Sequence, residues 1–243
     1  MRLQAPPGVQ DVLPASTPAW RKLEAAFHHH ASLYGYNEIR TPTYEYTEVF
    51  TRTVGETSDI VSKEMFKVID SGGRDLSLKP ESTAPVMRAV IEHALCPPGT
   101  VGRFYYVSSK HFRMERQQKG RLKEHHQVGV ELLGVEGPAG DAEVIELGVK
   151  FLQKLGLKQI QASINTLGGD ECRANYSEAI LNHFASWLAD QTTEVQDKVR
   201  KNPLRLLDNK DPKIRELADS MAPIKDYLEK ESAERFDTLQ KLL

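Results

Sequence analysis

The 243-residue sequence predicts an α+β fold, a mainly antiparallel sheet flanked by helices and followed by an all-helical region. Three observations predict it. The run from His111 to Gly134, HFRMERQQKGRLKEHHQVGVELLG, alternates with period two on either side of a polar loop, as an antiparallel strand pair does. Short strand-like runs alternate with helical stripes as far as about residue 168. Beyond Gly168-Gly169 the apolar residues recur only at helical spacing.

The elements follow in order. Residues 1–14 are proline-rich and extended. Thr17-Pro18 reads as a helix cap with proline at the first helical position, and Trp20, Leu23, Phe27, His30 and Tyr34 follow at helical spacing until Gly35. His28, His29 and His30 point around that helix, so they cannot converge on one metal and read as surface and edge residues. NEIRTP, MFKVID and LSLKP read as short strands, with Ser71-Gly72-Gly73 as a turn. Glu81-Ser82-Thr83 opens a helix carrying Val86, Val90, Ile91 and Leu95, which Pro97-Pro98-Gly99 ends. Strands follow around Phe104–Ser108 and in the hairpin. Asp141 is expected to cap a helix with Val144, Ile145, Gly148, Leu152 and Leu155 on one side, stopped by Gly156. Gln159–Asn165 alternates and reads as a strand. Ile180, Leu181, Phe184, Trp187 and Leu188 then form a helical stripe, and Leu217, Tyr227, Leu228, Phe236, Leu239 and Leu242 continue the pattern. No internal repeat is found.

Composition narrows the function. Hydrophobic residues make up 40% of the chain, enough for a core, and the net charge of −2 gives no global pull toward nucleic acid or membrane. No stretch approaches the ~18 apolar residues of a membrane span, and the start lacks an apolar leader run. A cytoplasmic location and no membrane partner are expected. Cys96 and Cys172 lack metal spacing and read as buried or incidental thiols. Charge is instead local: between Val101 and Gln127 there are seven Lys/Arg against two Glu, a place where a phosphate would be drawn.

Two clusters carry chemistry. In the hairpin, His111, Arg113 and Glu115 share one face of the first strand, and Gln127, Gly129 and Glu131 one face of the second. An arginine, carboxylates and an amide on one face fit either a solvated sheet surface or a binding site. Strands pairing symmetrically about Gly120 would set Arg113 opposite Gln127, where a sheet-held arginine is a rigid clamp for an α-phosphate. The second cluster is Lys79-Pro80-Glu81-Ser82-Thr83. One reading is a helix cap, with Ser82 or Thr83 satisfying free N–H groups and Glu81 facing the positive helix end. The other is a pocket for a ligand ammonium group, bound by a carboxylate and a hydroxyl.

These residues resemble the N-terminal part of the class II histidyl-tRNA synthetases. The resemblance covers nearly the whole chain: PPGVQDVLP (6–14), YGYNEIRTP (34–42), TRTVGETSDIVSKEMF (51–66), LKPESTAPVMRA (78–89), the hairpin, INTLGG (164–169) and NPLRLLDNKDP (202–212). The hairpin is similar to motif 2 of class II synthetases and NEIRTP to the end of motif 1, with Pro42 at a dimer interface. The resemblance implies a class II synthetase-type sheet. It also implies a partial catalytic core over 1–168 with motifs 1 and 2, and a helical insertion over 169–243.

The resemblance implies a histidine–tRNA ligase. Its substrates would be L-histidine, ATP with Mg²⁺, and tRNA(His), and its likeness to motif 1 implies a homodimer. Arg113 would contact the α-phosphate and the histidine carboxylate, and serve as the catalytic residue. Glu115 would meet the adenine end of ATP, and Arg121 the outer phosphates or the acceptor end of tRNA. Glu81, Ser82, Thr83 and Gln127 would form the amino-acid subsite, with Glu131 holding the imidazole. No residue is expected to hold a resident metal.

Several positions depart from the family pattern. Lys79 stands where Arg is usual, Ser82 where Gly is usual, and Gln117 where Pro is common. Lys123 and His125 stand where Arg and an aromatic are frequent. The chain is also expected to stop before the segment that supplies a further histidine-site arginine and before motif 3. Two other readings are a regulatory paralogue of ATP phosphoribosyltransferase, which keeps the fold and tends to lose motif 2, and a non-catalytic RNA- or partner-binding module. The retention of Glu81, Arg113, Glu115, Arg121, Gln127 and Glu131 argues against the paralogue.

Overall fold

A computed structural model describes residues 3–54, 64–114 and 121–243. Its main sheet is organised on β5 (Gly102–Phe112), which pairs antiparallel with β6 (Glu124–Leu133) and parallel with the two-residue β1 (Asn37–Glu38). A second sheet holds β2 (Tyr44–Tyr46), β4 (Asp75–Leu78) and β3 (Lys67–Ile69) in the order β2-β4-β3, all antiparallel. The chain packs as two compact units, residues 1–136 with 143–160, and residues 137–142 with 161–243.

In the first unit, α1 (Thr17–Leu33) and α4 (Pro138–Lys154), the latter from Glu143 onward, cover the apolar face of the main sheet. Phe27, Ala31, Tyr36, Tyr105, Leu147 and Phe151 are buried together, with Val107, Val128, Val130 and Leu132 packed against them. Phe27 and Phe151 meet edge to face at 4.8 Å. Arg103 forks onto Glu143 at 3.2 and 3.1 Å, and the Tyr36 hydroxyl donates to the same carboxylate at 3.0 Å. The Arg103 hydrogen bonds hold the Glu143 carboxyl below the usual range. The smaller sheet packs with α2 (Thr47–Val54) and α3 (Thr83–Glu92) around Phe50, Met65 and Ala84.

The second unit is helical: α5 (Asp170–His183), α6 (Ala185–Ala189), α7 (Thr193–Lys201), α8 (Pro212–Asp219) and α9 (Lys230–Leu242). The stripe expected from the sequence is its core, with Ile180 and Phe184 fully buried and Leu188 beside them. At Asp211-Pro212 a new helix begins: the Asp211 side chain caps α8 by accepting from Lys213 N at 2.9 Å, with proline in the first turn.

Local expectations shift where tertiary packing intervenes. The N-cap of α1 is Ser16, one residue before the expected Thr17, whose hydroxyl instead donates to Pro14 O at 3.0 Å. His30 is not a surface residue; it lies on the Phe27 face of α1, 8% exposed, with Nε2 3.1 Å from Leu147 O. The α3 helix ends at Glu92, and Ala94 takes a left-handed φ of +48° ahead of the two prolines, which bar helix continuation. Ile91 therefore lies exposed near the helix end.

Helix α4 starts at Pro138, a favourable first-turn residue, so Asp141 sits inside that turn rather than capping it. Its buried stripe runs through Leu147 and Phe151, while Leu152 and Leu155 face outward. Gln159–Asn165 is half-buried only at Ile160 and Ile164, with Ala162 exposed, and forms no strand. No described strand lies alongside to complete its hydrogen-bond ladder, and a ladder needs both sides.

The two faces of α4 differ in what truncation costs. Phe151→Ala is expected to cost about 3–5 kcal/mol in urea unfolding, whereas Leu152→Ala, on the stripe read from sequence, costs about 1 kcal/mol or less. Equal losses would mean that α4 packs on its other face.

Candidate functional site

The polar face of the main sheet is assembled by one irregularity. From Gly102 to Tyr106, β5 follows one register, with Phe104 opposite Glu131 and Tyr106 opposite Gly129. From Ser109 to Phe112 it follows another, with Ser109 opposite Gln127 and His111 opposite His125. Two residues of β5, Val107 and Ser108, thus oppose Val128 alone, as in a β-bulge. The bulge changes the parity of β5. Tyr106 before it and His111 and Arg113 after it look from the same face as Gln127, Gly129 and Glu131.

The face predicted from sequence is therefore present, but its register differs. Arg113 N donates to Lys123 O at 2.8 Å, so Arg113 lies opposite Lys123, four residues from Gln127. Burial of Tyr105, Val128, Val130 and Leu132 against the helices pins the pairing. A symmetric turn at Gly120 does not decide it.

The segment before α3 is laid across this face and bonded to it at successive residues. Phe112 N donates to Lys79 O at 2.9 Å, and Arg113 Nε to Pro80 O at 3.1 Å. Ser82 Oγ lies 2.7 Å from His111 Nε2, and Thr83 Oγ1 donates to Glu131 Oε1 at 2.8 Å. The cap of α3 is made by Glu81, whose carboxylate accepts from Thr83 N at 2.6 Å and Ala84 N at 3.0 Å. Neither Ser82 nor Thr83 does that work. Each Glu81 oxygen keeps a further lone pair, so capping and ligand binding are compatible.

The floor is formed by two side chains of β5. Tyr106 and the fully buried His111 lie under the segment. A Cβ at Gly129 would overlap the Tyr106 hydroxyl, so a glycine is needed where the ring crosses the neighbouring strand. Burial drives the Tyr106 phenol well above its usual range, reinforced by the negative charges of Glu131 and Glu81. Burial also raises the Glu131 carboxyl, against the opposing Thr83 hydrogen bond. The front-face alternation contained His111, but only the fold shows that Ser82 reaches it.

The remaining expected residues are placed as follows. Glu81, Ser82, Thr83 and Glu131 converge, and Gln127 shares their face, half-buried. Arg121 is exposed, just before β6. Glu115, like Gln117 and Lys119, lies outside the described residues. Lys79 is 4% exposed and donates through Nζ to Thr41 O and Oγ1, each at 3.3 Å, while burial lowers its ammonium pKa. It ties segments together. Among the described residues no group of three His, Cys, Asp or Glu converges as a metal site.

This mixed α+β fold, with its mostly antiparallel sheets and flanking helices, is that of class II aminoacyl-tRNA synthetases. The family described as "Histidyl-tRNA synthetase" matches residues 8–168, and the chain belongs to that family. It is 40% identical over 245 residues to a histidine–tRNA ligase of Limosilactobacillus fermentum, and 43% identical over 243 residues to one of Listeria innocua. Each alignment covers 100% of this chain and 57% of the relative, so the chain spans a little over half the length of these curated relatives.

The crystal structure of apo S. aureus histidyl-tRNA synthetase is similar with a TM-score of 0.77 at 30% identity, over 100% of this chain and 54% of that one. A Bacillus halodurans chain titled as an ATP phosphoribosyltransferase regulatory subunit/histidyl-tRNA synthetase shares the fold, with a TM-score of 0.69 at 24% identity, over 99% of this chain and 64% of that one.

The raised Glu131 carboxyl gives a signed prediction. Thr83→Val removes the donor that stabilises the ionised form, so a ¹³C titration of Glu131 should show a still higher pKa. A folded-state pKa above the unfolded one means that the share of stability from Glu131 is present at low pH and lost as pH rises through the folded value. Glu131→Gln should therefore raise the melting temperature at neutral pH. A lower melting temperature would refute the assignment of burial as the dominant cause.

Proposed function

We propose that the polar face is the histidine and ATP subsite of a histidine–tRNA ligase, as named for the curated relatives. The observation that carries the reading is the convergence of Glu81, Thr83 and Glu131, beside an arginine anchored at Pro80. In this reading Glu81, Thr83 and Gln127 take the α-ammonium group of histidine, and Glu131 accepts from its imidazole. Ser82 supports the same subsite. Charge-assisted hydrogen bonds to a carboxylate suit both cationic and N–H partners.

The reaction is an in-line displacement. A carboxylate oxygen of histidine attacks the α-phosphorus of ATP, the bond to pyrophosphate breaks, and histidyl-adenylate forms. A terminal ribose hydroxyl of tRNA(His) then attacks the carbonyl and releases AMP. The charge that builds on the α-phosphate oxygens lies where Arg113 would clamp it, and a strand-held guanidinium needs little reorganisation to do so. Arg121 serves the outer phosphates or the tRNA end, and Glu115 the adenine. Mg²⁺ accompanies ATP and screens its phosphates; no described side-chain cluster is assigned to it.

The second unit is read as the helical insertion, and the region of β1 and Pro42 as a homodimer contact. No described helix is long and apolar enough to cross a membrane, and a cytoplasmic setting suits the proposed substrates. The regulatory-subunit alternative is supported by shared fold alone. It requires no histidine-dependent adenylate chemistry, and that difference is testable.

Histidine-dependent ATP–pyrophosphate exchange distinguishes the two. The assay is run on this chain, where weak exchange or none is expected, and on a chimera that appends the rest of the Limosilactobacillus fermentum relative. Exchange in the chimera should fall by about a hundredfold or more with Arg113→Ala. Arg113→Lys should fall in between, since it keeps charge but loses the planar fork. Exchange indifferent to Arg113→Ala would remove Arg113 from the site.

A further inference from the structure

Ser82 breaks a local rule. It is the N-cap residue of α3, the position where a serine hydroxyl ordinarily accepts from its own helix. Here it makes no such bond, and Glu81 performs the cap instead. The Ser82 hydroxyl faces the sheet, 2.7 Å from Nε2 of His111 on β5. Both partners are sealed from solvent, Ser82 at 1% exposure and His111 at 0%. His111 is itself held by stacking on His125 of β6, with ring centroids 5.5 Å apart and planes 26° apart.

We propose that Ser82 and His111 form a positioning pair that sets the height of the 81–83 turn above the sheet, and through it the amino-acid subsite. Glu81 and Thr83 are the immediate chain neighbours of Ser82, with Cα atoms about 3.8 Å away. They cannot rise or tilt without it. Thr83 reaches Glu131 at 2.8 Å, and a displacement of about 1 Å would take that contact outside hydrogen-bonding range. The pair touches the reaction only through its neighbours.

A glycine would leave the turn held only from its two sides, whereas the serine adds a direct tie to the strand beneath. His111, polar and fully buried, gives that tie its partner. Burying an imidazole is costly unless it is hydrogen-bonded, and the hydroxyl of Ser82 supplies one such bond.

This inference rests on the amino-acid subsite proposed above, so its test uses two readouts on the 243-residue chain. The first is NMR amide exchange at Thr83 and Ala84, the two N–H groups capped by Glu81. The second is an NMR titration with L-histidine. Ser82→Ala should speed exchange at both amides about tenfold, leave the amides of α1 unchanged, and weaken histidine binding about fivefold. His111→Met keeps the volume without the bond and should do the same.

The double variant should be no worse than either single one, because both remove one interaction. His111→Gln, whose amide reaches the place of Nε2, should restore both readouts to within about twofold. Unchanged exchange at Thr83 and Ala84 in Ser82→Ala overturns the pair, whatever the ligand does. Additive losses in the double variant also overturn it. A wild-type chain that does not prefer histidine to other amino acids overturns the subsite reading instead, and with it the ligand half of this inference.

Discussion

One extra residue in β5 carries the candidate site. Side chains of a strand alternate, so a single-residue slip sends every later side chain to the opposite face. Before the slip, Tyr106 looks outward and Tyr105 inward; after it, His111 and Arg113 look outward. Without it Arg113 would point to the side where Phe27, Leu147 and Phe151 close the core. The bulge lets one strand serve an apolar layer below and a cationic, carboxylate-lined face above.

The 79–83 segment depends on that switch. Its contacts fall in turn on Phe112, Arg113, His111 and Glu131, all on the hairpin that the bulge aligns. This lets a helix begin above a sheet without stranding its polar groups, because Glu81 satisfies the first free N–H groups. Glu131 shows the cost. Its carboxyl is raised by burial, and the fold keeps it beside Thr83 although a neutral residue would pack more cheaply. Charged groups retained against stability are expected where a ligand is to be held.

Much of this was legible in the sequence. The paired strands, the helix after Pro80, and the apolar stripe of Ile180, Phe184 and Leu188 all follow from short-range rules, and all are present. The resemblance also pointed to the family that the comparison with known proteins shows. The misreadings share a cause. The sequence pattern puts the α4 stripe on Leu152 and Leu155, whereas Leu147 and Phe151 are the buried residues, because a helix with apolar residues on several sides does not announce which one meets a sheet. Gln159–Asn165 has the alternation of a strand but no described neighbour to pair with.

The sequence by itself determined the kinds of groups available and their local scaffolds: a period-two hairpin with Arg113, Gln127 and Glu131 on its polar face, and a carboxylate and two hydroxyls at a helix start. Those follow from interactions between residues a few positions apart, which chain geometry fixes. Only the tertiary structure decided the register that sets Arg113 opposite Lys123, the use of Glu81 rather than Ser82 as the cap, and the meeting of Ser82 with His111 and Thr83 with Glu131. Partners 29 and 48 residues apart are brought together by burial of the sheet's other face. That force acts on the assembled layers, and no local pattern encodes it.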